Sequence, residues 1–293
     1  MDEQTQKIGF VGLGAMGLPM AHALIEAGYS VVGYDISESS LSKFAQMGGQ
    51  IATNVQEAAR GVDVFISMVV NDAQTEDVLF GGGNAVYTLK AGSVVISGST
   101  VPPAFAAKMA LQLAEHDIHM IDCPVSGGVA GAEKRTLTMM AAGKSDIFAQ
   151  VEAIIRTMGS NTFYLGEECG QGSAMKVVNQ LLCGVHVAVA GEAIAFAKKS
   201  GLDTNTVYDV IGTSAARSWM FMDRVPNMEN PPEHPRSAVD IFIKDLGIVT
   251  DAGRSMRMMT PIAAAALQMF IAASGAGYGR EDDSQIIKAY ERD

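Results

Sequence analysis

Cysteine is scarce in this chain. Cys123, Cys169 and Cys183 stand far apart with no CxxC pair, which excludes a disulfide framework and a thiolate metal site and suits a reducing compartment. The five histidines are scattered without zinc-ligand spacing, so no metal is expected. Positive charge is also short: 21 Lys and Arg face 32 Asp and Glu, for a net charge of −11. Such a balance offers no basic face and argues against nucleic acid. An anionic small molecule would have to be held by local positive or N–H groups working against the overall field. Uninterrupted apolar runs are absent as well. Residues 1–7 are short and polar, and the long stretch after Lys176 is broken by Asn179, Gln180, His186 and Glu192. No signal peptide, membrane span or membrane partner is expected, and the compartment read from these absences is the cytoplasm. There is no internal repeat and no low-complexity tail.

What the chain has is apolar mass. Of its 293 residues 48% are hydrophobic and 18% charged, a composition that folds into a buried core. That length predicts two domains. The first half alternates strand-like and helix-like runs, the pattern of a parallel sheet wrapped by helices. Strands are expected at residues 8–11, 30–34, 62–70, 93–96, 118–122 and 136–142, and helices at 39–47, 104–115 and 146–157. Pro102 and Pro103 are placed to open the second of these helices. From about Gly170 strand signals fade and helix formers dominate. Residues 171–200 read as one helix of roughly 45 Å at 1.5 Å per residue. It is apolar on most sides through Val177, Val178, Leu181, Leu182, Val185, Val189 and Ile194, so burial is expected, as a spine between domains and between subunits. That reading makes the protein a homo-oligomer, with dimer and tetramer both open. Residues 226–235, with four prolines, read as an irregular loop, and helices resume at 239–255, 261–274 and 283–290. The fold class is therefore α/β: a doubly wound sheet over residues 1–168, then an all-α domain over residues 169–293.

Directly after the first apolar run comes Gly12-Leu13-Gly14-Ala15-Met16-Gly17, leading into an amphipathic stretch. Strand, glycine turn and helix in that order form a dinucleotide-binding fingerprint, and the sheet becomes Rossmann-like. Gly12 makes the tight turn, Gly14 lets backbone approach a pyrophosphate, and Gly17 lets helix pack on strand, with Ala15 and Met16 between them. The helix N–H groups then face the phosphates. Met20, Ala21, Leu24 and Ile25 repeat at helical spacing, and Gly28 is placed to stop that helix. A glycine turn without ligand is the alternative, and this context tells against it. The second strand ends at Asp35, about twenty residues on, where a carboxylate would hold the adenosine ribose 2′-hydroxyl. A 2′-phosphate there would meet like charge, and Ile36, Ser37, Glu38 and Ser39 supply no arginine to relieve it. The cofactor expected is NAD in preference to NADP.

Two further segments fall where ligands gather, at strand ends and a helix start. In Asp122-Cys123-Pro124-Val125-Ser126-Gly127-Gly128 a hydroxyl at Ser126 precedes two glycines, Gly127 and Gly128, whose N–H groups could cradle a carboxylate. A tight turn without ligand remains the alternative. In Gly170-Gln171-Gly172-Ser173-Ala174-Met175-Lys176-Val177-Val178-Asn179-Gln180, Lys176 lies near a helix start, with Asn179 and Gln180 at i+3 and i+4 on the same face. Hydride transfer to or from an alcohol carbon needs a group that moves the hydroxyl proton. A lysine can do so when burial lowers its pKa from about 10.4 toward neutrality, and a helix N-terminus pushes the same way. A solvated surface lysine is the alternative, against which stand Ala174, Met175, Val177 and Val178.

With these motifs in order, the chain resembles the β-hydroxyacid dehydrogenase family over essentially its full length. The resemblance rests on the opening IGFVGLGAMGLPMA, DCPVSGG, GQGSAMKVVNQ and Ile243-Lys244-Asp245-Leu246. It implies a Rossmann domain followed by a helical domain, with the active site in the cleft between them. It further implies that Ser126, Gly127 and Gly128 bind the substrate carboxylate and that Lys176 is the acid/base. Lys244 and Thr100 would contact the cofactor near its nicotinamide end, with Met68, Val69, Val70 and Asn71 along its length. Many members carry Asn where this chain has Gln180. The amide is retained, so Asn179 and Gln180 both stand as the group that orients the hydroxyl.

The second half is most similar to the L-threonate dehydrogenase branch of that family, through residues 179–186, 218–221, 237–242 and 277–284. That similarity implies a small anionic hydroxy acid, a four-carbon polyol oxidised at C2. Its hydroxyls would need matched polar partners, for which Ser126, Asn179, Gln180, Arg217, Ser218 and Asp240 are candidates. An arginine such as Arg217 is more often solvated or in a structural ion pair. Trp219 reads either as a pocket wall or as a core aromatic. The competing readings are a semialdehyde reductase (tartronate, glyoxylate or succinic semialdehyde), a cofactor-binding sensor without catalysis, and a methyltransferase. The third glycine and the helical second half disfavour the last.

Overall fold

The computed structural model describes residues 6–291; the polar lead-in expected at residues 1–7 lies, for residues 1–5, outside the described residues. The chain divides into two compact units, Met1–Lys176 and Val177–Asp293. In the first, strands and helices alternate: β1 (Lys7–Val11), α1 (Gly17–Glu26), β2 (Ser30–Tyr34), α2 (Glu38–Gln46), β3 (Gln50–Ile51), α3 (Val55–Ala59), β4 (Val64–Ser67), α4 (Asp72–Leu79), β5 (Val94–Ser97), α5 (Pro103–Ala114) and β6 (His119–Asp122). These six strands pair in the order β3-β2-β1-β4-β5-β6, all parallel. The order reverses between β1 and β4, the switch point outside which such sheets bind ligands. Both faces of the sheet are covered, which is why its strands read as unbroken apolar runs. Ile8, Phe10, Leu24, Ile66, Ile96 and Ile154 pack on one face, and Phe65, Val95, Met109 and Leu113 on the other.

The strand expected at residues 62–70 is only four residues long. After Ser67 the chain leaves the sheet: the Val69 N–H turns to the Ser99 hydroxyl at 3.2 Å instead of a strand partner. Beyond β6 follow β7 (Val125–Ser126), α6 (Gly128–Glu133), β8 (Thr138–Ala141), α7 (Ser145–Met158), β9 (Asn161–Tyr164) and the long α8 (Gln171–Lys199). The three short strands form a second sheet, β7 antiparallel to β8 and β8 parallel to β9.

The second unit continues α8 with α9 (Thr204–Thr213), α10 (Trp219–Glu229), α11 (Val239–Ser255) and α12 (Pro261–Ala273), then a π-turn at Ser274–Tyr278 and a 3-10 turn at Asp283–Ala289. Val187, Phe242, Leu246, Phe270 and Ile286 form its main core, with the Phe242 and Phe270 rings stacked at 5.0 Å. Two expectations need correction. Residues 226–235 are not all loop, because α10 runs through Pro226. A proline there leaves the Met222 carbonyl without its helical donor, and the Tyr208 hydroxyl donates to that carbonyl at 3.2 Å. Nor is α8 buried all round. Val187, Ala190 and Ile194 are in the core, but Val178, Leu182 and Val189 face outward, in one stripe with Met175 and Phe196. By length and apolarity alone, Gln171–Lys199 and Pro261–Tyr278 could each cross a membrane, the first with half of its apolar window buried in protein.

Candidate active site

The glycine turn is built as its sequence requires. Gly12 has φ +93°, and a Cβ there would collide with the Met68 carbonyl. A Cβ on Gly17 would collide with the Gly12 carbonyl oxygen, so α1 and β1 meet backbone to backbone. Gly14 has nothing within 4 Å of where its Cβ would stand, and Gly14 and Ala15 are exposed. Met16 occupies the cap position of α1 without a side-chain hydrogen bond. In the first turn the Leu18 N–H donates to the Gly14 carbonyl at 3.0 Å and the Met20 N–H to the Met16 carbonyl at 3.4 Å, and Pro19 has no N–H, so a ligand would be met by the N–H groups of the glycine turn itself. Gly28, at φ +92°, ends the helix in the left-handed region. Asp35 follows β2, and its carboxylate reaches back to the turn. Oδ2 accepts the Leu13 N–H at 2.6 Å and Oδ1 the Ser37 N–H at 2.8 Å. An exposed glycine turn at a helix start, beside a carboxylate at the next strand end, fits a dinucleotide's pyrophosphate and ribose.

Across the switch point, the chain after β4 carries Met68, Val69, Val70 and Asn71. Val70 is exposed. Asn71 caps α4, its Oδ1 accepting the Gln74 N–H at 2.8 Å, while Thr100 follows the end of β5 half-buried.

The segment after β6 turns through two glycines in succession, Gly127 at φ +131° and Gly128 at φ +63°. A side chain would be strained at either. Gly128 is open to solvent with nothing near its missing Cβ, and Ser126 is half-buried.

Lys176 is 7% exposed, so it is not a solvated surface lysine. It sits on the second turn of α8, whose start is fastened to the end of β6. Asp122 Oδ2 accepts the N–H groups of Gly170 and Ser173, both at 2.8 Å, and Oδ1 accepts the Ser173 hydroxyl at 2.7 Å. Burial pushes the Asp122 carboxyl above its ordinary range, and these hydrogen bonds pull against it. Beyond Lys176 the amides behave differently from one another. Gln180 is buried and its Nε2–H donates to Asp245 Oδ2, while its Oε1 accepts from Asn179 Nδ2 at 2.8 Å. Asp245, itself buried, lies 2.7 Å from Lys244 Nζ through Oδ1. Asn179, Gln180, Asp245 and Lys244 thus form one polar chain. Asp122 and Asp245 were not singled out from sequence, although each adjoins a residue that was or lies in its motif.

The remaining candidates lie in the helical unit. Ser218 caps α10, its Oγ accepting the Phe221 N–H at 3.0 Å. Asp240 is exposed and accepts the Ser274 hydroxyl at 2.6 Å, against Gly279, where a Cβ would touch its carboxylate. Arg217 is exposed. Trp219 is 62% exposed, which rules out the core-aromatic reading. In residues 277–284, Asp282 and Asp283 are buried, and Asp283 pairs with Arg224 at 2.6 and 3.0 Å.

Residues 7–166 match the family model described as the NAD binding domain of 6-phosphogluconate dehydrogenase. Residues 170–290 match the model described as the NAD-binding region of NADP-dependent 3-hydroxyisobutyrate dehydrogenase. The chain is 43% identical to the L-threonate dehydrogenase of Cupriavidus necator, over 98% of this chain and 96% of that one. It is 35% identical to the 2-(hydroxymethyl)glutarate dehydrogenase of Eubacterium barkeri, over 99% and 96%. Among solved structures, a 3-hydroxyisobutyrate dehydrogenase from Salmonella typhimurium superposes with a TM-score of 0.91 at 39% identity, covering 97% of this chain and 99% of that one.

Proposed function

The chain belongs to the β-hydroxyacid dehydrogenase family, the 3-hydroxyisobutyrate dehydrogenase-like enzymes, and on that premise we propose that it oxidises L-threonate or a similar four-carbon aldonate at C2 to the 2-oxo acid. It is an NAD-binding oxidoreductase acting on the CH–OH group of a small hydroxy acid, so the sensor and methyltransferase readings fall. The observation that carries the substrate reading is the near-full-length 43% identity to an enzyme named for L-threonate.

Bound NAD supplies the hydride acceptor. Gly12, Gly14, Ala15, Met16 and Gly17 would hold its pyrophosphate at the start of α1, and Asp35 its ribose hydroxyls. One of the two family models is named for an NADP enzyme, so the choice of NAD over NADP rests on Asp35, whose charge opposes a 2′-phosphate. By the family resemblance, Met68, Val69, Val70 and Asn71 would contact the cofactor along its length, and Thr100 and Lys244 near its nicotinamide.

Ser126, Gly127 and Gly128 hold the substrate carboxylate through a hydroxyl and backbone N–H groups, which suits a protein of net charge −11 with no cationic face to spare. Lys176 Nζ accepts the hydroxyl proton as C2 loses its hydride, and the carbonyl of the 2-oxo acid forms. Gln180 orients the hydroxyl. Asp245 can only accept hydrogen bonds, so it turns the Gln180 nitrogen toward itself and fixes the direction of the amide. Asn179 supports Gln180 from the other side. Ser218 and Asp240 are left to meet the distal hydroxyls. We place the enzyme in the cytoplasm as a homo-oligomer, with the outward stripe of α8 seated on a second copy.

A panel of hydroxy acids and semialdehydes, each tried with NAD and NADP, tests this reading. NADH formation from L-threonate is expected. Rapid NADH consumption by tartronate, glyoxylate or succinic semialdehyde, with none formed from L-threonate, would replace it with the reductase reading.

A further inference from the structure

We infer that Asp122 is a positioning residue for the reaction, its buried carboxylate setting where Lys176 stands by binding the first turn of α8 to the end of β6. The inference rests on the reading of Lys176 as the acid/base. Asp122 is fully buried, and no cation is paired with it among the hydrogen bonds it makes to α8. Its partners are the N–H groups of Gly170 and Ser173 and the Ser173 hydroxyl. The first N–H groups of a helix lack intrahelical acceptors, and here one carboxylate takes the Ser173 N–H together with the Gly170 N–H just before the helix, while the Gln171 N–H donates to the Glu168 carbonyl at 3.3 Å. Lys176 follows Ser173 by three residues, just under one turn, so little backbone freedom separates the anchor from the amine.

The mount under the carboxylate is rigid. Asp122 is paired with Ser97 of β5 in register. On its other side it exchanges backbone hydrogen bonds with Ala142, at 2.9 and 2.8 Å. The helix comes so near that Gly172 cannot carry a side chain, since a Cβ there would collide with the carbonyl oxygens of Met140 and Asp122. Gly170, at φ +104°, passes equally close to the Pro103 carbonyl, 2.8 Å from where its Cβ would be. The two glycines of Gly170-Gln171-Gly172-Ser173 are thus fitted to the anchor. Four residues beyond Asp122 stands Ser126, proposed to hold the substrate carboxylate. One side chain therefore ties the strand end that leads to the substrate's anion to the helix that carries its proton acceptor.

Asp122→Ala is the test, because it removes both acceptor oxygens, whereas an Asn could still accept the two N–H groups through its oxygen and donate to the Ser173 hydroxyl through its nitrogen. The full-length enzyme is assayed with L-threonate and NAD, beside Lys176→Ala and Ser173→Ala. Asp122→Ala is expected to lower kcat by about 10- to 100-fold, the cost of moving a reacting group by around an ångström. NADH binding, followed by nicotinamide fluorescence, should be unchanged, and the primary deuterium isotope effect on kcat should rise. A role in folding alone would instead lower NADH binding and leave the isotope effect alone. Ser173→Ala, which keeps both N–H bonds, is expected to show a smaller fall of the same kind. A kcat within about threefold of the parent in a folded Asp122→Ala overturns the inference. Should that variant not fold, an unaltered kcat and isotope effect in Ser173→Ala overturn it. Activity retained by Lys176→Ala removes the acid/base reading and this inference with it, whereas an inactive Lys176→Ala beside an active Asp122→Ala sinks the inference alone.

Discussion

Three aspartates show how surroundings assign a carboxylate its work. Asp35 stands half-buried at a strand end and leans on the glycine turn. Asp122 is sunk beneath a helix start, and Asp245 holds an amide and a lysine. Only the first was legible in the sequence, because its meaning depends on spacing from Gly12, Gly14 and Gly17. The glycines were legible for the same reason: a turn with φ above zero and a backbone-to-backbone approach admit nothing else. Asp122 and Asp245 act on residues 48 to 65 positions away, and a local pattern carries no sign of that. Two predictions belong here. Asp35→Ser with Ile36→Arg, the latter at a position 90% exposed, should move the NAD-to-NADP ratio of kcat/KM toward NADP by about tenfold or more, the worth of roughly 1.4 kcal/mol. An unmoved ratio would remove Asp35 from cofactor choice. Ser126→Ala should raise the KM for the hydroxy acid with kcat nearly kept, and an unchanged KM would leave residues 126–128 as a turn only.

Elements were readable where their pattern was long. The helices α5, α7, α11 and α12 and the central strands follow apolar periodicity closely, since each has one face or two to bury. β7 has only two residues, and β9, Asn161–Tyr164, is largely exposed, so neither shows an apolar pattern. At α10 the proline rule misled, because a tertiary contact supplies what Pro226 takes away. Tyr208→Phe should therefore leave the Met222 carbonyl without a donor and cost about 1 kcal/mol in urea unfolding. No loss of stability would mean that water serves the carbonyl equally well. In α8 the apolar count was right and its distribution was not: the helix has a core face and an outward stripe. Met175, Val178, Leu182, Val189 and Phe196 fall three, four and seven residues apart, the spacing of a seam for another helix.

For the whole molecule the order of folding units follows from the order of motifs, a doubly wound sheet first and helices after. That stripe, with Leu182 50% and Phe196 74% exposed, is a row of exposed apolar side chains of the kind that marks an association surface. Sedimentation should find a dimer or larger species, and Leu182→Glu with Phe196→Glu should shift it toward monomer. A parent protein monomeric at micromolar concentration would rule out the paired stripe. The claim on which the account turns is that one buried amine takes the hydroxyl proton of a small hydroxy acid opposite bound NAD. Its most direct measurement is the rate of NADH formation from L-threonate by the parent enzyme and by Lys176→Ala, with NADH affinity followed in both. The account predicts a loss of about two to four orders of magnitude in kcat with affinity kept; a loss smaller than about tenfold would contradict it.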